Sequence, residues 1–440
     1  MIIMKFGGTS LGDADRIRNV ANIIKSHLLD RPVVVVSAVA KITDWLIMLA
    51  DECANGKGDD ILENIKNIHY VILEKLSLDK SLLENDIESL SELMGETKNK
   101  QGIDAKALDC FQSFGEQMSS KIVAAQLNSM GIDAKAFNSW ELGFLTDSEY
   151  GNAEPLDSTY KNLGNNIKNM EIVPVITGFI GKTEEGDITT LGRGGSDYTA
   201  AIVGAAIGAD EIQIWTDVDG IMSTDPKIVS NANTIEKISF AEASELAYFG
   251  AKVLHPKTIL PAMRKNIPVR VLNSFNPKNE GTTILSKVQK DKKTVTGIAY
   301  KKNVTLIHVE STRMIDASGF MAMFFDIFDK YGKSIDIIST SIVSVSLTID
   351  NEENLNSILN DLRGISNVEV IKNKAIICVV GEGMRHTPGI AGRTFTALGK
   401  NKINIEMISQ GASEINITFI VDGKDAENTV RVLHNEYFGQ

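Results

Sequence analysis

Short apolar runs rich in β-branched residues recur along the first 285 residues of this 440-residue chain, at 33–36, 172–176, 212–215 and 269–272. Runs of that length suit strands buried on both faces, and therefore a parallel sheet. Between them the spacing lengthens to that of a helix. Ile17, Val20, Ala21 and Ile24 fall at i, i+3, i+4 and i+7, and Ser196 or Asp197 can cap the apolar stretch 200–207. Alternating strand and helix predicts a layered α/β domain. Residues 55–105 depart from the pattern: they are polar, charge-rich and helix-favouring, which predicts an inserted, solvated helical hairpin with no chemistry of its own.

A Lys-rich linker at 286–293 precedes a different texture. Beyond it the chain repeats with a period of 70 residues and no gap. Ile335-Asp336-Ile337-Ile338-Ser339 aligns with Ile405-Glu406-Met407-Ile408-Ser409, Gly319 with Gly389, Phe325 with Phe395, and Thr348 with Thr418. The alternation over 343–349 predicts a strand with one wet face. Each repeat reads strand, Gly turn, helix, strand, strand. Two small α+β modules, about 304–370 and 374–440 within a region 295–440, are thus expected after a large α/β domain at 1–285.

Composition narrows the class. Apolar residues make up 43% and charged residues 23% of the chain, as in a soluble globular protein. The net charge of −12 opposes any surface that tracks phosphates, so no nucleic-acid partner is expected. Cys53, Cys110 and Cys378 are far apart with no CxxC, which predicts neither a disulfide framework nor a zinc cluster. No apolar run approaches the roughly 18 residues of a membrane span, and the run at 1–6 is too short for a signal peptide. A cytoplasmic protein of a reducing compartment, with no membrane partner, is expected.

Three segments carry candidate chemistry. Lys5-Phe6-Gly7-Gly8-Thr9-Ser10 ends a strand and precedes a helix. Two glycines there let backbone amides approach an anion, and the lysine can act as a point charge on a transferred phosphoryl. Lys precedes the glycines, so this is not the P-loop pattern. In Thr190-Leu191-Gly192-Arg193-Gly194-Gly195-Ser196-Asp197-Tyr198, an arginine among glycines suits bidentate grip of a carboxylate or phosphate. The third segment, 215–227, leaves the carboxyl end of a strand, where ligands bind in open α/β sheets. Its acidic residues lack the spacing of a calcium loop.

Taken in order, KFGGTS at 5–10, VSA at 36–38, FGEQMSS at 114–120, GRGGSDYTA at 192–200, WTDVDGI at 215–221 and FGAKVLHP at 249–256 resemble the aspartate kinases of the amino-acid kinase family. The tandem repeat resembles that family's paired ACT regulatory modules, and the resemblance spans the whole chain. It implies an αβα three-layer sandwich with a mainly parallel sheet, followed by two ferredoxin-like ACT modules. It implies transfer of the γ-phosphoryl of Mg-ATP to the side-chain carboxylate of L-aspartate. That nucleophile, with a reference pKa of about 3.9, is already ionised and needs no base. Positive groups and amides, not a Ser/His/Asp relay, are then the expected machinery.

By the same resemblance, Lys5, Gly7, Gly8 and Asp197 take catalytic positions, Lys5 contacting the phosphoryl and the glycines donating amides. Ser37, Thr43, Glu116, Arg193 and Ser196 take substrate positions, with Arg193 on the α-carboxylate and Glu116 on the α-ammonium. Thr216, Asp217, Met222, Lys227 and Lys252 take ATP positions. Mg²⁺ is expected on the ATP phosphates, with Asp197 as the candidate protein ligand. Met222 stands where many relatives carry an aromatic and Lys227 where they carry Arg, which loses bidentate geometry.

In the first repeat Met314, Gly319, Phe320, Ser334, Ile335, Asp336, Thr340 and Ser341 match effector positions of lysine-inhibited relatives, with Asp336 suited to an ammonium. L-Lysine, or threonine, is the expected allosteric inhibitor, and a homodimer or tetramer through the ACT-like region the expected assembly. Two alternatives stay open at this point: another amino-acid kinase such as glutamate 5-kinase, or a catalytically silent amino-acid-binding regulator. The ACT-like pair and GRGGSDYTA favour aspartate over glutamate. Intact Lys5, Arg193 and Asp197 speak against the silent regulator.

Overall fold

The computed structural model describes residues 1–98, 100, 102–250, 254–288, 294–314 and 319–439. The apolar runs form strands as their composition requires. β1 (Ile2–Phe6), β2 (Pro32–Val36) and β4 (Val173–Thr177) are buried at every position, with the short β3 (Ala134–Phe137) between β2 and β4 in sequence. β5 (Ile180–Lys182) and β6 (Ile188–Thr190) form a separate antiparallel pair. β7 (Glu211–Thr216), β8 (Lys237–Ser239), β9 (Val269–Asn273) and β10 (Thr282–Leu285) complete an eight-stranded sheet in the order β3-β4-β2-β1-β7-β9-β10-β8. Every neighbouring pair is parallel except β9 and β10.

The chain leaves β1 toward β2 on one side, while β7 flanks β1 on the other. The carboxyl end of β1 is therefore a topological switch point, the usual place for a ligand in an open α/β sheet. Lys5 sits there, level with Val35 and Ile214.

Helices cover both faces. α1 (Ala14–Ser26), α2 (Ile42–Ala54) and α5 (Ala105–Ser129) share one apolar core with β1 and β2. α6 (Asp157–Ile167), α7 (Gly195–Ile207) and α9 (Leu260–Arg264) pack in succession on the opposite face. This is the three-layer αβα sandwich with a mainly parallel sheet.

The expected solvated hairpin is a pair of helices, α3 (Asp59–Leu76) and α4 (Glu84–Thr97), but it is not merely solvated. Ile65, Leu73 and Leu90 are fully buried in the same core as α1, α2 and α5. Lys121 on α5 also pairs with the buried Asp86 on α4 at 2.7 Å. The abundant charges of this segment hide a narrow apolar stripe in any composition count, and that stripe decides the packing.

Two compact units emerge. The first comprises Met1–Ile221, Thr234–Phe240 and Val253–Val288; the second comprises Met222–Asn233, Ala241–Lys252 and Gln289–Gln440. The second unit thus recruits two segments from before residue 285, including most of α8 (Phe240–Tyr248). Its two long strands, β11 (Gly297–Glu310) and β14 (Asn367–Val380), pair antiparallel along their length. β12 (Ile337–Thr340) and β13 (Ser344–Ile349) extend the sheet on one side, β15 (Met407–Ser409) and β16 (Asn416–Asp422) on the other.

The first half of β11, 297–302, precedes the first repeat and pairs with 375–380 of the second, whereas 367–371 of β14 pair with 306–310 inside the first. The halves meet at Asn303 (φ +60°) and Asn373 (φ +59°), one period apart, the left-handed conformation asparagine tolerates. α10 (Phe320–Lys330) and α12 (Ile390–Lys400) start one period apart at Gly319 and Gly389, both with positive φ. α11 (Leu355–Arg363) and α13 (Ala426–Phe438) close the repeats, an element beyond the predicted pattern. Leu355, Ile358, Leu359 and Leu362 give α11 its buried stripe. The repeats keep separate cores. Part of the Lys-rich linker, 289–293, lies outside the described residues. Among the described residues no helix is long and apolar enough to cross a membrane.

His69 on α3 is fully buried; its Nδ1 donates to the Ile65 carbonyl at 2.7 Å and its Nε2 has no partner. Burial pulls its pKa down to about 4. The folded state then holds fewer protons than the unfolded chain, so stability is lost as pH falls from about 6.5 toward about 4. Denaturant titrations across that window are expected to show on the order of 3 kcal/mol less stability at the acid end. His69→Leu is expected to remove that part of the slope.

Candidate functional site

The first unit holds a cavity of about 830 Å³ at the carboxyl end of β1 and β2. Its walls come from the turn after β1, the loop 37–43, α5 and the glycine-rich loop ahead of α7. Lys5, Gly8, Ser37, Thr43 and Glu116 all line it, as do Arg193, Ser196 and Asp197. Eight residues singled out from distant motifs thus share one chamber.

Lys5 is only 8% exposed, and its Nζ lies 2.6 Å from Asp197 Oδ1. Asp197 stands in the first turn of α7, whose N-cap is Gly194 at φ +74°. Neither Ser196 nor Asp197 caps this helix, in contrast to the sequence expectation. The left-handed glycine makes the turn by itself, which places both side chains inside the helix with the cavity beside them.

The two glycines after Lys5 part company. The Gly7 N–H donates to the Trp215 carbonyl at 3.1 Å, extending the β1–β7 ladder, so it is not available to a phosphoryl group. This corrects the expectation that both amides serve the ligand. Gly8 lines the cavity, and a Cβ there would lie 2.8 Å from the Ala38 carbonyl oxygen. Only glycine lets the two loops approach so closely.

Glu116 is 3% exposed on α5. Its Oε1 accepts the Ala38 N–H at 2.9 Å, while its Oε2 is buried with no partner. Burial pushes its pKa up to about 8, against the pull of the Ala38 amide and the Lys5 charge. A carboxyl group so placed favours the proton until a cation arrives. Ser119, one turn along α5, donates to the Ser37 carbonyl at 2.7 Å and ties helix to loop.

Arg193 lies between Gly192 (φ +72°) and Gly194 (φ +74°) and has no ion-pair partner among the described residues. A Cβ at Gly192 would meet Asn152 Oδ1 at 2.9 Å. The loop is pinned at its base while its guanidinium stays uncommitted. Partial burial and the neighbouring charges of Arg193 and Lys257 lower the pKa of His255.

The nucleotide positions are divided between the two units. Thr216 and Asp217 end β7 in the first unit, with Thr216 Oγ1 donating to Asp217 at 3.2 Å. Met222 and Lys227 belong to the second unit. There the Lys227 N–H donates to Asp225, which also accepts the Tyr300 hydroxyl at 3.1 Å. Lys252 lies outside the described residues.

Among the effector positions, Met314 ends a short turn after β11, Gly319 and Phe320 start α10, Ser334 and Ile335 precede β12, and Thr340 and Ser341 close it. Asp336 already has an ammonium partner: Lys301 Nζ lies 2.8 Å from its Oδ1, with the Tyr248 hydroxyl at 3.4 Å. Its Oδ2 is buried without a partner, and burial raises its pKa. The second repeat repeats the device, with Lys374 on Glu406 at 2.7 Å. Sequence reasoning did not see these internal lysines, since each pair is 32 or more residues apart in the chain.

Three further charged residues of the cavity escaped the motif reading: Lys41, Asp44 and Asp109. Asp109 lies seven residues before Glu116, two helical turns along one face of α5, a spacing that could have flagged it. Lys41, at φ +70°, gives no local signal at all.

Known proteins fall in line with this geometry. Residues 1–273 match the amino acid kinase family, and residues 377–437 match an ACT domain. Aspartokinase 1, chloroplastic, of Arabidopsis thaliana is 39% identical over 99% of this chain and 80% of its own length. Lysine-sensitive aspartokinase 3 of Escherichia coli is 37% identical over 100% of this chain and 99% of its own. The crystal structure of E. coli aspartokinase III in complex with aspartate and ADP superposes with a TM-score of 0.86 at 36% identity, covering all of both chains. Matched from end to end in both sequence and backbone, this chain belongs to the aspartokinases of the amino acid kinase family.

Proposed function

We propose that the cavity beside Lys5 is where this aspartate kinase joins its two anionic substrates, and that the orphaned oxygen of Glu116 receives the aspartate α-ammonium. The single observation that carries the assignment is the convergence of Lys5, Gly8, Glu116 and Arg193 on one chamber. A zwitterion with a free side-chain carboxylate meets a guanidinium at one end and a carboxyl group at the other. The E. coli relative's complex with aspartate and ADP supports the same pair of ligands.

In the reaction an aspartate side-chain oxygen attacks the γ-phosphorus of ATP as the bond to the β,γ-bridging oxygen breaks. The products are 4-phospho-L-aspartate and ADP, and no proton changes hands. Lys5 lies on the rigid end of β1 and stabilises charge that spreads over the transferring phosphoryl. Asp197 holds the Lys5 ammonium in place at 2.6 Å. Arg193 grips the α-carboxylate, and Ser37, Thr43 and Ser196 line the remaining wall.

Mg²⁺ carried by ATP phosphates asks for only one or two protein carboxylates. Asp197, the acidic group beside Lys5 in the cavity wall, is the residue that would hold such an ion. Bound there, the ion would neutralise phosphate charge. Thr216, Asp217, Met222 and Lys227, with Lys252, are the proposed nucleotide contacts.

The second unit is read as the sensor. The bare Asp336 Oδ2 suits an effector ammonium, and the name of the lysine-sensitive E. coli relative favours lysine. Inhibition then requires lysine to bind one state of the enzyme better than another. Met323, Phe325 and Ile342 are large apolar residues left exposed on the first repeat, which supports association with a second copy there. Three free cysteines agree with a reducing cytoplasm.

Two outcomes test the catalytic reading. Lys5→Ala is expected to lower kcat by about 10²–10³-fold with little change in the ATP KM, measured as hydroxylamine-trapped acyl phosphate. Small, equal effects on both constants would contradict the role. Because Glu116 must be ionised to hold an ammonium, kcat/KM for aspartate is expected to rise with pH and level off above about 8. Glu116→Gln should flatten the profile and lower it.

A further inference from the structure

Asp109 is a carboxylate only 1% exposed, in the wall of the substrate cavity, and nothing in the reaction above uses it. Its Oδ2 accepts two backbone amides, from Gly151 at 2.9 Å and Thr190 at 2.8 Å. Its Oδ1 accepts the Thr190 hydroxyl at 2.8 Å. Three donors and no cation surround a buried charge, an arrangement that suits the ionised form although burial raises its pKa. A buried carboxylate is an expensive way to tie loops together unless their exact placement matters.

What the three bonds join is informative. Thr190 is the last residue of β6 and stands three residues before Arg193. Its carbonyl accepts the Ala153 N–H at 2.9 Å, so Thr190 is held from both sides. The Gly151–Asn152 segment that Asp109 grips is the same one against which Gly192 nestles, within 3.0 Å of a virtual Cβ. Beyond Gly192 the loop closes on itself through Gly195 N–H to the Gly192 carbonyl at 3.0 Å. Asp109 thus fixes both strands of chain at the base of the Arg193 loop. It does so from α5, the helix that carries Glu116 seven residues later, about 10.5 Å along the axis.

We infer that Asp109 is a positioning residue for aspartate: it locks the Arg193 loop to α5 and so fixes the distance between the guanidinium and Glu116, the two ends of the substrate clamp. The inference rests on the reading that Arg193 grips the α-carboxylate. It concerns aspartate binding and leaves the phosphoryl-transfer groups, Lys5 and Gly8, untouched.

The test uses the full-length enzyme with the aspartate KM, the ATP KM and kcat measured separately. Asp109→Leu strands both amides without emptying the volume, and is expected to raise the aspartate KM roughly tenfold or more, with kcat at saturation and the ATP KM within about twofold. Asp109→Asn is expected to recover near-normal aspartate KM, because its oxygen still accepts both amides and its NH₂ turns to the Thr190 hydroxyl. The double variant Asp109→Asn/Thr190→Val sets that NH₂ against a methyl group, and is expected to raise the aspartate KM again, by roughly threefold or more. If Asp109→Leu does not fold, the double variant against Asp109→Asn decides. Arg193→Lys serves as the reference. If it raises the aspartate KM while the Asp109 and Thr190 variants do not, or if those variants change kcat and both KM values in parallel, the brace is overturned. If Arg193→Lys leaves the aspartate KM unchanged, the Arg193 reading fails and takes the brace with it.

Discussion

Everything in the catalytic unit turns on how charge is balanced around one open cavity whose floor, at Lys5 and Glu116, is buried. Two anions must enter a protein whose net charge is −12. Lys5 and Arg193 supply attraction, yet uncompensated carboxylates nearby would cancel it. The structure limits that cancellation in two ways. Asp197 sits directly on Lys5 and holds it rigid. Glu116, buried with one oxygen bare, retains a proton well above the usual carboxylate range. With Glu116 neutral, the three cations of the wall, Lys5, Lys41 and Arg193, are no longer outnumbered by carboxylates, and in the proposed clamp the Glu116 charge emerges only when an ammonium group comes to meet it.

The scaffold explains why such balance is possible. Lys5 is fixed by ladders on both sides of β1, and even the Gly7 amide is drawn into that ladder. α5 reaches the chamber from the opposite wall and carries Glu116, Ser119 and Asp109 along its length. Loops contribute the rest, and glycines with positive φ let them bend tightly without a side chain in the way. In the second unit a different solution appears. The two long strands β11 and β14 run through both repeats, and each repeat sets a lysine against the carboxylate at the same repeat position, Asp336 or Glu406.

Much of this is legible in the amino-acid sequence. Apolar runs of four or five residues marked β2, β4, β7 and β9, the 70-residue period marked the paired modules, and the ordered motifs named eight residues of the chamber. The failures have physical causes. The helical insertion looked solvated because its charges outnumber the stripe of Ile65, Leu73 and Leu90 that buries it. Gly7 looked like an anion donor because sequence cannot tell which amide a neighbouring strand will claim. Ser196 and Asp197 looked like caps because the left-handed turn at Gly194 leaves no mark in hydrophobic patterning. Contacts between residues remote in sequence, such as Lys301 with Asp336 or Asp109 with Thr190, are beyond any local signal.

The central claim is that Glu116 is held neutral in the empty chamber and ionises as aspartate binds. Calorimetric titration of aspartate at neutral pH, repeated in buffers with different ionisation enthalpies, counts the protons that move. Close to one proton is expected to be released per aspartate bound, and that release to vanish in the Glu116→Gln variant. Binding that proceeds with no proton released by the native enzyme would contradict it.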